Sequence, residues 1–384
     1  MRTLDFSSAS GSTELLPLPP GTAACIGAFD GMHRGHQGLI ARARRLAEEV
    51  AVVTFEPRPV DVLAPDRAPP RLQTPRQRER VCRQLGVDTL AVLRFDLEVS
   101  QMSPEAFVQA FLLDGLRPAR VVVGYDFHFG AGRAGGPREL AALLEPHGVA
   151  VEVVEKIADQ TTEQTTEDQG SDKVGSTAIR ELVGRGEIER AAELLGRWYA
   201  VAGVVEHGAA RGRALGYPTA NVASRSLHPS GGVYACALTV LDDAGELELG
   251  CWPAVANIGT NPTFGPGQER TLEVHAYDRE LGDDLYGREV EVSFVARLRD
   301  ELRFDGPESL RRAIAADIEA ARPRLHQAAL ERRHARPVAP ESRDAQRKIM
   351  SGAAGGEEGA KAPTTSGERS YKTASGERSD EETP

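Results

Sequence analysis

Ala23-Ala24-Cys25-Ile26-Gly27-Ala28-Phe29-Asp30-Gly31-Met32-His33-Arg34-Gly35-His36 opens the part of the chain that decides the fold. Ala23 to Phe29 is almost wholly apolar and reads as a buried strand. Gly35 to Glu49 has helical spacing, and Val50 to Phe55 is a second apolar run. Strand, short glycine-bearing turn, helix and strand make a βαβ unit with parallel strands. The same alternation continues outward. Pro75 to Leu85 reads as a helix, Thr89 to Phe95 as a strand, and Ser103-Pro104 as a helix start. Arg120 to Gly124 is a strand, Pro137 to Glu145 a helix, and Val149 to Val154 a strand. The expectation is an α/β domain, a parallel sheet with helices on its faces, whose ligand lies beyond the carboxyl ends of the strands.

The pattern stops between Ala158 and Lys173, where a polar near-repeat reads as a surface loop. Helical spacing resumes from Thr177 to about Leu195. After Arg197 come short β-rich runs: Tyr199 to Glu206, Val233 to Leu241, Pro253 to Ile258, Thr271 to Tyr277 and Glu289 to Ala296. Gly, Pro and Asn separate them, which predicts a small antiparallel β-barrel. A helix follows from near Pro307 to about Arg322. Residues 326–384 show no core pattern and repeat Ser-Gly-Glu-Arg-Ser, as expected of a disordered tail. The expected division is 1–196, 197–325 and the tail.

The chain has 384 residues, a hydrophobic fraction of 40% and a net charge of −11. That charge opposes broad nucleic-acid binding, because no general positive field holds a phosphate backbone. No apolar run approaches the ~20 residues that span a bilayer, and Met1 to Pro20 lacks a secretory pattern. Cys25, Cys82, Cys236 and Cys251 have no metal-ligand spacing. Reduced thiols and a cytoplasmic setting are the simplest reading. A homo-oligomer is compatible with the sequence.

Two constellations carry chemistry. In the first, His33 and His36 are three apart at a helix start, so one helical turn places them on one face. The helix N-terminus suits phosphate, and Gly31 and Gly35 permit close approach of a ligand. Two imidazoles there can donate to an α-phosphate during nucleotidyl transfer. Ser176, Thr177 and Arg180 read either as a plain helix cap or as phosphate ligands. Gly124 to Gly130 reads as a pocket wall or a packed turn.

In the second, Gly208, Gly212 and Gly216 punctuate a stretch ending Tyr217-Pro218-Thr219-Ala220-Asn221. Free backbone N–H groups at such glycines can cradle phosphate. Thr219 offers a hard oxygen to Mg²⁺, and Asn221 lies on the same side if the segment is extended. Glu273, between apolar Leu272 and Val274, is either a solvated strand residue or a base taking a proton from a substrate hydroxyl. A polar loop containing Asn257 accompanies it.

The runs Gly27 to His36, Thr54-Phe55-Glu56-Pro57-Arg58-Pro59, Gly124 to Gly130 and Ser176 to Arg180 occur in order. Together they resemble the FAD synthetase module of prokaryotic bifunctional riboflavin kinase/FAD synthetases, which implies a Rossmann-like nucleotidyltransferase fold for the α/β part. The region from about Gly203 to Arg322 resembles riboflavin kinase in G-x-x-R-G-R-x-L-G-Y-P-T-A-N, A-N-I-G-T-N-P-T-F, R-T-L-E-V-H, D-L-Y-G and R-L-R-D-E. The resemblance implies Mg²⁺–ATP with riboflavin, FMN and FAD as small-molecule substrates and products. It implies that Gly27, Phe29, Asp30, Gly31, Gly35, His33 and His36 serve one ATP, with Ser176, Thr177 and Arg180 closing over it. Phe55, Pro57, Arg58 and Asp126 would then flank nucleotide and flavin. In the second module, Gly208, Arg211, Gly212 and Gly216 would meet phosphate, Thr219 and Asn221 the metal, Asn257 and Arg297 the flavin, and Glu273 would be the base.

The chain departs from the family at Ala28, where an asparagine or similar polar residue is usual, and at Arg58, where histidine is usual. His128 and Gly175 are further departures. A kinase with a weakened adenylyltransferase module is therefore the alternative. A non-catalytic flavin-binding regulator is the remote one.

Overall fold

In the computed structural model, described residues are 1–6, 16–155, 174–208, 212, 215–242, 248–260, 270–279 and 282–334. The polar loop at 158–173, Arg211 and the tail from 335 lie outside them.

Six parallel strands form the first sheet: β1 (Arg2–Asp5), β2 (Ala23–Ile26), β3 (Val50–Glu56), β4 (Thr89–Arg94), β5 (Arg120–Gly124) and β6 (Ala150–Val154). Their order is β1-β4-β3-β2-β5-β6. Helix α1 (Arg34–Leu46) makes the β2–β3 crossover. Short α2 (Pro59–Leu63) and α3 (Pro75–Gln84) precede β4. Short α4 (Leu97–Ser100) and α5 (Pro104–Phe107) follow it, and α6 (Pro137–Leu144) precedes β6. Ser103 caps α5 by accepting from Ala106 N, as its position before Pro104 predicts. Apolar clusters cover both faces: Ala24, Ile26, Val53 and Leu93 with Phe107 and Leu112 on one, Cys25, Val52 and Val122 with Ile40 and Cys82 on the other. Strand β1 escaped the sequence reading; it is short, and its sequence carries two charged residues.

The predicted helix over Thr177–Leu195 is two helices, α7 (Ser176–Arg185) and α8 (Ile188–Leu195). Gly186, at φ +79°, caps α7 in the left-handed region that favours glycine. Six antiparallel strands close the barrel: β7 (Tyr199–Glu206), β8 (Ala220–Ala223), β9 (Gly232–Leu241), β10 (Glu248–Thr260), β11 (Arg270–Ala276) and β12 (Glu289–Arg299). The apolar faces of α7 and α8 join the barrel core: Ile179, Leu182, Ile188 and Leu194 share one cluster with Val201, Leu238, Leu272 and Phe294. Packing is therefore continuous across residue 196.

The last helix, α9 (Pro307–His334), runs past the predicted end near Arg322. Pro323 inside a helix normally ends or kinks it. Here Leu325 packs with Ile318, Ala321 and Val255 on the barrel's outer face, and Ala328 is buried, so burial carries the helix onward.

Candidate active sites

The turn joining β2 to α1 is held carbonyl by carbonyl. Thr54 Oγ1 on β3 donates to Ala28 O at 3.1 Å, and Gln73 Nε2 to Phe29 O at 2.8 Å. Ser176 Oγ, at the start of α7, donates to Asp30 O at 2.7 Å. Arg197 Nη2 donates to Gly31 O at 2.8 Å, and Gln37 Nε2 on α1 to Met32 O at 2.9 Å. The strand was expected to run to Phe29 but ends at Ile26, because the turn is left-handed: φ is 49° at Phe29, 89° at Gly31 and 41° at Met32. Such backbone costs on the order of 1–3 kcal/mol per non-glycine residue and persists only where neighbours over-determine it. The side-chain donors supply that constraint.

His33 ends the turn as N-cap of α1, its Nδ1 accepting from His36 N at 3.4 Å. In a neutral ring this places the proton on Nε2. The His33 and His36 rings stack with centroids 3.7 Å apart, and Phe29 lies 4.9 Å from His36. His36 Nδ1 is buried with no hydrogen-bond partner. Burial first, then the Arg197 charge, pushes the His33 pKa down to about 4, while Asp126 and Asp30 oppose the shift. Burial, then His33 and then Arg197 push His36 well below its ordinary value. Both rings are neutral at physiological pH.

These histidines, with Gly35, line a cavity of about 520 Å³ closed by Gly124 at the end of β5 and Asp126 just after it, Glu155 after β6, and Ser176, Thr177 and Glu181 of α7. That is a size common for small-molecule sites. It lies at the carboxyl ends of β2, β5 and β6, beside the switch point between β2, whose connection runs to β3 on one side, and β5, whose connection runs to β6 on the other.

Arg58, Phe55 and Arg180 are not among the lining residues. Phe55 is buried edge-on to Phe95, 5.8 Å away, and the Glu56–Pro57 peptide is cis. Asp30 accepts from Arg58 Nη1 at 2.8 Å, Arg180 Nη2 at 2.5 Å and Leu72 N at 3.1 Å. Arg58 also pairs with Asp61, and Arg71 bridges Asp61 and Glu56. A buried pair is of uncertain net value, but losing one partner leaves a buried charge uncompensated and costs about 3–5 kcal/mol. Arg58, the departure from the family's usual histidine, thus neutralises Asp30 beneath the turn.

On the barrel, register brings the second constellation into one row. Asn257 on β10 sits opposite Glu273 on β11, Glu273 opposite Asn221 on β8, and Asn221 opposite Glu206 on β7. Leu272 and Val274 face the core, so Glu273, Asn221 and Asn257 share the other face, each partly exposed. A Cβ at Gly208 would run into the Asn221 amide, and one at Gly212 would meet Thr219 Oγ1 at 3.3 Å. The glycine strip therefore lies directly against the residues with hard oxygens. Tyr217 N and Leu215 N donate to Gly212 O at 2.9 and 3.0 Å, and Gly216 takes φ +82° in that turn. His275 Nδ1 lies 2.8 Å from Pro218 O and donates to it, pinning the strip to β11. Arg297 Nη2 donates to Gly231 O at 2.9 Å and pairs with Asp300.

Sequence reading missed Gln37, Gln73, Arg197 and His275 as supports. His275 lies within the quoted R-T-L-E-V-H run, and its place two residues after Glu273 was the available signal. The other three are single polar residues with no spacing signal.

Two family models match in tandem: FAD synthetase over residues 17–167 and riboflavin kinase over 195–325. A bifunctional riboflavin kinase/FMN adenylyltransferase of Pseudomonas fluorescens is 40% identical over 317 residues, 81% of this chain and 96% of its own. One from Escherichia coli K12 is 39% identical over 307 residues, 79% of this chain and 92% of its own. A crystal structure described as a macrolide-efflux protein from Streptococcus pneumoniae shares 28% identity and a TM-score of 0.69, covering 84% of this chain and 99% of that one. None of the described helices is long and apolar enough to cross a membrane. With both modules matched in order and the relatives aligned nearly end to end, this chain belongs to the bifunctional riboflavin kinase/FMN adenylyltransferase family.

Proposed function

We propose that the chain phosphorylates riboflavin to FMN on the barrel and adenylylates FMN to FAD, releasing pyrophosphate, in the cavity of the parallel-sheet module. The cross-strand row Asn221–Glu273–Asn257 beside the glycine strip carries the reading. It sets a carboxylate between two amides, next to backbone suited to phosphate. Glu273 is the base for the ribityl hydroxyl, and Asn257 and Arg297 flank the flavin. Thr219 and Asn221 would hold Mg²⁺ with ATP, where the cation neutralises phosphate charge. Gly208, Arg211, Gly212 and Gly216 form the phosphate strip, of which Arg211 lies outside the described residues.

In the cavity, neutral His33 and His36 each offer one N–H to the α-phosphate, where charge builds during in-line displacement. Gly27, Phe29, Gly31 and Gly35 shape the backbone around the phosphates, and Ser176, Thr177 and Asp126 close the opposite wall. The FMN phosphate is the nucleophile, so no covalent enzyme intermediate is needed. Arg180 meets ATP by leaving Asp30, which keeps Arg58. The functional division falls at about 196, a homo-oligomer fits the reading, and the setting is cytoplasmic.

Purified protein given riboflavin and Mg²⁺–ATP should accumulate FMN first and FAD after it, resolved by chromatography over time. FMN without FAD would leave only the kinase; neither product would remove the proposal.

A further inference from the structure

Most donors that clamp the Ala28–Met32 turn come from the parallel-sheet module or from the helix that closes it. Arg197 does not. It lies in the short connection between α8 and β7, at the entry to the barrel. Its fork reaches back into the other module: Nη2 to Gly31 O at 2.8 Å and to Gln73 Oε1 at 3.3 Å, Nη1 to Met32 O at 3.2 Å and to Leu195 O at 3.4 Å. Gln73 in turn holds Phe29 O, so Arg197 holds the Gly31–Met32 end of the left-handed stretch directly and the Phe29 end through Gln73.

We propose that Arg197 is a positioning residue for adenylyl transfer: supplied by the barrel's entry segment, it locks the left-handed Gly31–Met32 turn from which His33 and His36 project into the nucleotide cavity. The planar fork matters, because one ammonium with three donors cannot serve three carbonyls and an amide oxygen in fixed directions. The charge adds a second effect. Among the groups facing His33, Arg197 disfavours the imidazolium while Asp30 and Asp126 favour it, and His36 is pushed the same way by Arg197. The inference rests on the assignment of His33 and His36 to adenylyl transfer.

The test uses the full chain with Arg197→Lys and Arg197→Met. FAD formation from FMN and FMN formation from riboflavin are measured on the same preparations. Expected for Arg197→Lys is a fall of about 10–100-fold in kcat for FAD, with KM for ATP and FMN moving less than about 3-fold. Kinase kcat stays within about 2-fold of the parent. In Arg197→Met the His33 imidazole, followed by NMR, titrates at higher pH than in the parent, whereas Arg197→Lys leaves it in place. Unchanged FAD formation in both variants overturns the proposal. So does a parallel loss of both activities, which marks a purely structural residue. His36→Ala separates the premise: if it leaves FAD formation intact, the site assignment itself fails. If it abolishes FAD formation while Arg197→Lys does not, only the positioning role fails.

Discussion

The two sites are built by opposite means. In the parallel-sheet module, the turn carrying His33 and His36 departs from relaxed backbone at Phe29, Gly31 and Met32 and is held by side chains from β3, α1, α7 and two connecting segments. Beside it lies an ion-pair lattice of buried Asp30 and Arg58 with half-buried Asp61 and Arg71. On the barrel, Asn221, Glu273 and Asn257 are aligned by strand register, with ordinary extended backbone and side chains on the outer side of the wall. Geometry at the first site depends on many distant residues. At the second it is a by-product of closing the sheet. Substitutions around the first should therefore act at a distance, and those around the second should act only at the residue replaced.

The sharpest way to break this contrast is Glu273→Gln. On the proposed reading the carboxylate is the base, and β11 is set by backbone pairing, so the amide fits without disturbing register. FMN formation should fall by about 10²–10⁴-fold, the usual range for losing a general base, while FAD formation from supplied FMN stays unchanged. A loss below about 5-fold would remove Glu273 from the chemistry. Next in size is His36→Ala. Loss of one positioned donor costs about 10²–10³-fold in kcat. FAD formation should drop by that amount and FMN formation should not. If both fall, the sites are not separable in the way their construction suggests.

The same contrast explains what could be read from the sequence. The barrel row was legible because alternation about Leu272-Glu273-Val274 names the face, and β-rich runs between turn residues name the barrel. Strand β8 was not, since Ala220–Ala223 is short and its sequence reads first as the end of a glycine strip. In the other module, the order of strands and helices and the pair His33/His36 followed from periodicity and one motif. The supports did not. Gln37, Gln73 and Arg197 are remote in sequence or unremarkable in spacing, and their role exists only once five carbonyls need donors. Arg58 was quoted as part of a turn flanking the ligand; its burial and its pairing with the Asp30 carboxylate carried no signal in the sequence. The extension of α9 past Pro323 was hidden because local propensity argues against it and only packing on the barrel argues for it.

The smallest expected effect concerns pH. The ordinary histidine value is near 6.5, and His33 in the fold titrates at about 4, with His36 also displaced downward. Between those values the unfolded chain binds more protons than the folded one. Stability is therefore fully present above pH 6.5, falls as pH drops toward 4, and levels off below it. Carboxylates contribute in the same window, so the histidine share must be isolated by comparison. His33→Asn suits this: asparagine is a good N-cap residue, so α1 keeps its cap while the titrating ring is removed. In urea denaturation at pH 7 and pH 5, the parent should lose more stability than His33→Asn, by on the order of 1–2 kcal/mol, since one pKa step is worth about 1.4 kcal/mol and only part of the shift falls between those two pH values. Equal losses would mean that His33 exchanges protons freely in the fold. The ring would then carry charge near neutral pH, and the locked, water-poor turn that separates this site from the barrel row would lose its electrostatic basis.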